Sequence, residues 1–153
     1  MRFLELKIPP VAVVLLCGAA MWLTAARVPE PGFAFPGQRI VAGLLFIGGL
    51  AIGIRGVIAF RRHETTVNPT TPGKASTVVT SDVFGRTRNP MYLGLAIVLV
   101  AWTVFLGSLA AAVGIPVFIA YMTRFQIMPE ERALAGLFGA PYDDYRRRVR
   151  RWI

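Results

Sequence analysis

The sequence predicts an all-α protein, an integral membrane bundle of about four transmembrane helices with its charged groups gathered at one membrane face. Hydrophobic residues make up 55% of the 153 and charged residues only 16%, too apolar a balance for a soluble domain of this length. Apolar runs recur at about residues 8–26, 40–60, 91–106 and 109–125, most of them near the ~20 residues that carry a helix across ~30 Å of hydrocarbon. The formal charge of +9 is therefore concentrated in the polar stretches, where anionic headgroups or an anionic ligand are the natural partners rather than nucleic acid.

The first run follows Arg2 and Lys7 and ends in Thr24-Ala25-Ala26-Arg27, which faintly resembles a signal-peptide cleavage site. It is long for a signal core and more spans follow, so it reads as a first transmembrane helix. Cys17 lies inside it, and a single cysteine excludes an internal disulfide and a thiolate cluster. The connection to the second run holds Pro29, Pro31, Pro36, Gly32 and Gly37, a tight turn region with Phe33 and Phe35 near the interface. In the second run, Gly49 and Gly53 give a small-residue face for close helix packing. The apolar stretch from 91 to 125 is too long for one span, and Gly107-Ser108 divides it into a helical hairpin whose second arm contains Pro116.

Orientation follows from the basic residues. Arg2, Lys7, Arg61, Arg62, Lys74, Arg86, Arg88, Arg124, Arg132, Arg146, Arg147, Arg148, Arg150 and Arg151 fall on one side of this bundle, against Arg27 and Arg39 on the other. The positive-inside rule then places both termini, the loop 61–89 and the tail 126–153 in the cytoplasm, as in a multi-pass protein of the bacterial inner membrane.

The loop closes with Arg88-Asn89-Pro90-Met91-Tyr92-Leu93-Gly94, in which Asn89 suits an N-cap and Pro90 a first helical turn. Beyond the fourth run, Pro129 reads as another helix start, with Glu130 and Glu131 complementing its positive end and Gly139 ending it. A last helix follows from Pro141, with Tyr142, Tyr145, Val149 and Trp152 on one face, to lie along the membrane surface with its arginines toward headgroups. Arg55 reads as a snorkelling residue and His63, the one histidine, as solvated. No nucleophile triad, metal-ligand spacing or glycine-rich phosphate loop is present, so no metal is expected.

The ordered pair of Arg88-Asn89-Pro90-Met91-Tyr92-Leu93-Gly94 and Pro129-Glu130-Glu131-Arg132, separated by a membrane hairpin and followed by Tyr142-x-x-Tyr145-x-x-x-Val149-x-Arg151-Trp152, resembles the isoprenylcysteine carboxyl methyltransferase and phospholipid methyltransferase superfamily. Thr66-Val67-Asn68-Pro69 and Val79-Thr80-Ser81 resemble the small bacterial members. The resemblance covers residues 61–153 and implies that residues 1–153 form one membrane methyltransferase domain that uses S-adenosylmethionine. It implies a cofactor pocket of Arg88, Asn89, Pro90, Tyr92, Gly94, Glu130 and Glu131, with Arg88 and Glu131 at the chemistry. Many relatives carry histidine where this chain has Asn89, so no imidazole base stands there. Many also carry Gly-Pro-(Tyr/Phe)-Arg-Tyr-Ser before the arginine, where this chain has Asp82-Val83-Phe84-Gly85-Arg86-Thr87.

S-adenosylmethionine carries a carboxylate, an ammonium, a sulfonium and an adenine, which call for a cation or helix N-terminus, carboxylates and an apolar slot. The expected function is methylation of a lipophilic acceptor at the cytoplasmic leaflet, in the manner of isoprenylcysteine carboxyl O-methyltransferases. The alternatives are N-methylation of an aminophospholipid and a non-catalytic membrane scaffold. A transporter is disfavoured because no acidic residue lies within a span.

Overall fold

A computed structural model describes residues 4–29, 32–63 and 77–153. Thr66 to Pro69 and Lys74 of the central loop, and Arg2, lie outside the described residues. Six α-helices follow in order: α1 (Pro10–Arg27), α2 (Gln38–Arg62), α3 (Pro90–Leu106), α4 (Gly114–Met122), α5 (Met128–Phe138) and α6 (Ala140–Arg148), with no strand among the described residues. Pro10–Arg27, Gln38–Arg62 and the continuous helical stretch Ala110–Phe138 are long and apolar enough to cross a membrane, and Pro90–Leu106 is an apolar helix of 17 residues. The protein is thus an all-helical membrane bundle.

The central helix is α3, against which α2, α1 and α4 all pack. Between α2 and α3 the contact is made by backbone. A Cβ built on Gly94 would stand 2.5 Å from the Gly49 carbonyl oxygen and 2.9 Å from the Gly53 nitrogen. Small residues let the helices approach until their backbones touch, which substitutes for the hydrophobic drive that lipid does not supply. On the other side of α3, Tyr92, Ala96 and Leu99 join Val13, Val14 and Met21 of α1 with Phe118, Met122 and Ile127 in the main core. The indole of Trp102 donates to the Gly18 carbonyl at 3.0 Å, tying α3 to α1.

The hairpin turns where glycine permits it. Gly107 ends α3 in the left-handed region (φ 65°), where an L side chain is strained. Its carbonyl accepts from Phe33 at 2.8 Å, and the Ser108 hydroxyl accepts from the Ala111 amide at 3.1 Å. Gln38 at the start of α2 donates to the Val104 carbonyl at 2.7 Å, so the connections at this end are fastened to one another.

The fourth span differs from the sequence expectation. It does not stop near residue 125 with a fresh helix at Pro129; the helix runs on to Phe138 through a π-helical segment, Thr123–Ile127. Pro129 has no N–H to give the Phe125 carbonyl four residues earlier. The amide of Leu6 supplies it instead, at 3.0 Å. Beside this bond the Glu5 carboxylate bridges Arg124 at 2.9 Å and Arg132 at 2.5 Å. The segment before α1 is thereby strapped across the π segment. Both arginines are about half exposed (46% and 54%), so these pairs are partly screened. Glu5→Gln is expected to cost about 1 kcal/mol, read as a small drop in the thermal midpoint of the detergent-solubilised protein.

The last helix also departs from expectation. The apolar face of α6 does not lie on lipid headgroups; Tyr142 and Tyr145 are buried by the chain itself. The Tyr145 hydroxyl donates to the Phe84 carbonyl at 2.8 Å. Phe84 in turn stacks on Phe60 of α2 (4.7 Å between centroids), packed with Ala59 and Val79. Residues 77–89 are so held between the end of α2 and α6. After Arg148 the chain extends, and Trp152 donates its indole N–H to the Thr123 hydroxyl at 3.1 Å.

Candidate functional site

Three segments meet at the end of the bundle that carries the start of α3, the start of α5 and the extended C-terminal tail. The backbone draws the first and last together. Arg88 donates its amide to the Arg150 carbonyl at 3.0 Å, and the Asn89 side-chain amide donates to the Arg151 carbonyl at 2.8 Å. Asn89 holds the N-cap position of α3, as expected, but its side chain makes no cap bond, its amide being engaged by the tail.

This pairing sets two guanidinium groups around one carboxylate. Arg88 Nη2 lies 2.9 Å from Glu131 Oε1, while Arg151 grips the same carboxylate with two parallel bonds, Nε to Oε1 at 3.0 Å and Nη2 to Oε2 at 2.7 Å. The side chains of Arg88 and Glu131 are each only 10% exposed, that of Arg151 35%. Bidentate guanidinium and carboxylate geometry is strong and directional, and these hydrogen bonds raise the Arg151 pKa above its ordinary value. Arg88 is not fully satisfied: its Nε is buried and finds no partner among the described residues.

Glu130, one residue earlier, is held differently. Its Oε1 accepts from the Tyr92 hydroxyl at 2.5 Å and from the Gln126 amide at 2.7 Å, both neutral donors. The adjacent carboxyls thus have separate surroundings, one clamped by two cations and the other carried by a phenol and an amide. On the far side of Arg88 a cleft of about 300 Å³ is lined by Arg88, Asp143, Arg146 and Arg147. Tyr142 stands nearby with its phenol pushed up to about 12, by burial first and then by the charge of Glu131.

Of the residues singled out from sequence, Arg88, Asn89, Tyr92, Glu130 and Glu131 come together here. Pro90 is fully buried at the start of α3, close to Gly56 of α2. Gly94 stands instead at the α2–α3 crossing, among Gly49 and Gly53. Arg55 is not a free snorkelling residue; it pairs with Asp82 at 3.2 Å, both groups well exposed. His63 ends α2, its Nδ1 2.9 Å from the Ala59 carbonyl. Sequence reasoning missed Arg151 and Gln126. The spacing of Gln126 and Glu130, one helical turn apart, was the available signal for the second. Arg151 stands in the terminal motif, just before Trp152, but among the arginines of residues 146–151 the sequence reading gives it no place in the site.

Two comparisons with known proteins bear on this geometry. An uncharacterized protein of Haemophilus influenzae is 44% identical over 63 residues, which is 41% of this chain and the whole length of that relative. No solved structure matches the chain. The phospholipid methyltransferase family matches residues 38–141, a stretch that contains α2, the α3 start, the hairpin and both glutamates. The chain belongs to the phospholipid methyltransferase family.

Proposed function

We propose that this protein is an S-adenosylmethionine-dependent methyltransferase that acts on a lipophilic acceptor at the membrane face bearing Arg88 and Glu131, which its basic residues mark as cytoplasmic. The observation that carries the reading is the convergence of Arg88, Glu130 and Glu131 from two segments about 40 residues apart into one partly open, charged cluster. The donor set fits the cofactor. Arg88 Nε is a buried donor still lacking an acceptor, suited to the cofactor's carboxylate, and the glutamates suit its ammonium and sulfonium. When bound, S-adenosylmethionine supplies an electrophilic methyl group on sulfur.

The chain's residues have the remaining tasks of orienting the partners and excluding water. Arg151 and Glu131 fix the Arg88 side chain, so that its guanidinium is preset rather than searching rotamers. A carboxylate acceptor, as in isoprenylcysteine carboxyl O-methylation, needs no base. One observation favours the second reading, N-methylation of an aminophospholipid. An ammonium acceptor must first lose a proton, and Glu130 Oε2 has no hydrogen-bond partner among the described residues while Oε1 is held by Tyr92 and Gln126. Glu130 Oε2 is then the atom that takes the proton.

Arg88→Ala and Glu131→Gln are each expected to weaken S-adenosylmethionine binding by about 1–3 kcal/mol, the loss of a charge-assisted hydrogen bond, by calorimetry. Unchanged affinity in both misplaces the cofactor site. Incubation of the purified protein with labelled S-adenosylmethionine and membrane extract, followed by identification of the labelled product, separates the acceptors. Label on an ester carbon supports the first reading and label on nitrogen the second; no saturable cofactor binding means a scaffold.

A further inference from the structure

α1 and α2 both pack on α3 and hardly on each other, which leaves a furrow between them. Its volume is about 800 Å³, within the range of small-molecule sites. Gly18 and Trp22 of α1 and Gly43 and Phe46 of α2 form its walls, and Val98 and Trp102 of α3 its floor. The Trp102 N–H is already spent on the Gly18 carbonyl, so the lining offers apolar surface and one charge. That charge is Arg39, at the end of the furrow remote from the Arg88 and Glu131 cluster. Arg39 has no carboxylate within ion-pair distance among the described residues.

The dimensions select an occupant. From Arg39 to Phe46 is two turns of α2, ~10 Å at 1.5 Å per residue, most of one leaflet of a ~30 Å hydrocarbon core. A crossing helix from another copy would meet the furrow over only about a third of its length. An acyl chain hanging from a headgroup at Arg39 matches both the depth and the charge. We propose that this furrow holds an acyl chain of an anionic phospholipid from the leaflet opposite the Arg88 and Glu131 cluster, with the lipid phosphate against Arg39. The site is independent of the methyl-transfer reading and of its acceptor.

Native mass spectrometry of protein released from nanodiscs of equal phosphatidylglycerol and phosphatidylcholine tests this. The wild type is expected to retain one phosphatidylglycerol. Gly43→Phe fills the furrow, and a Cβ there meets nothing within 4 Å, so the variant should fold and lose the lipid. Gly48→Phe, at an equally open position outside the furrow, should keep it. Arg39→Gln should lower the retained phosphatidylglycerol about tenfold, the loss of one charge-assisted contact, and abolish the preference over phosphatidylcholine. The proposal is overturned if the wild type retains no lipid, if Gly43→Phe retains it with unchanged headgroup preference, if Arg39→Gln keeps that preference, or if a dimer sensitive to Gly43→Phe appears in place of the lipid adduct.

Discussion

Replacing Glu131 by alanine is expected to destabilise the protein by about 3–5 kcal/mol, because it leaves the guanidiniums of Arg88 and Arg151 facing each other without their shared carboxylate. Removing one partner of a buried ion pair costs more than the pair is worth, since the remaining charge has already lost its water. The measurement is thermal unfolding of the detergent-solubilised variant, with a double-mutant cycle against Arg151→Ala. The double variant should recover part of the loss, since the repulsion is relieved when one guanidinium goes. Strict additivity would mean that Glu131 and Arg151 do not act as a unit.

Gly94→Val is expected to be the other severe change, at about 1–3 kcal/mol or more for overpacking. Its Cβ would overlap the Gly49 carbonyl at 2.5 Å, backbone against backbone, with no flexible side chain able to give way. Gly48→Ala on the neighbouring open face should change the thermal midpoint little, since nothing lies within 4 Å there. The comparison bears on the assignment of Gly94 to the cofactor pocket by resemblance. A variant that loses stability while the folded fraction binds S-adenosylmethionine normally leaves Gly94 a packing residue. Reduced affinity in the folded fraction restores it to the pocket.

The positions of the helices were legible because hydrocarbon allows few solutions: apolar runs of the right length, broken by proline and glycine, become spans. The Gly49 and Gly53 face was legible for the same reason, as small residues at that spacing have few other uses in lipid. The continuity of the helix through Pro129 was not. A proline reads locally as a helix start, and the donor that compensates it at the Phe125 carbonyl comes from Leu6, 119 residues before Phe125 in the chain. Nor could the pattern of Tyr142, Tyr145 and Trp152 reveal that protein rather than lipid covers this face, because an amphipathic pattern specifies which side is buried and not by what. At the site, the two motif segments were readable as a pair. Arg151, though part of the terminal motif, stood among arginines for which headgroup binding is the ordinary role.

The backbone pairing of residues 88–89 with 150–151 also has a consequence for the order in which the protein is made. Each hydrophobic span can enter the bilayer as it is synthesised, using only contacts within itself. The cluster cannot form at that stage, since Arg88 waits for a strand of chain made some 60 residues later. Membrane insertion and site maturation are therefore distinct events, and the second is a non-local closure of the kind that folds slowly. A chain interrupted after Phe138 would hold its hairpin and glutamates but lack the Arg150 and Arg151 carbonyls on which residues 88 and 89 close.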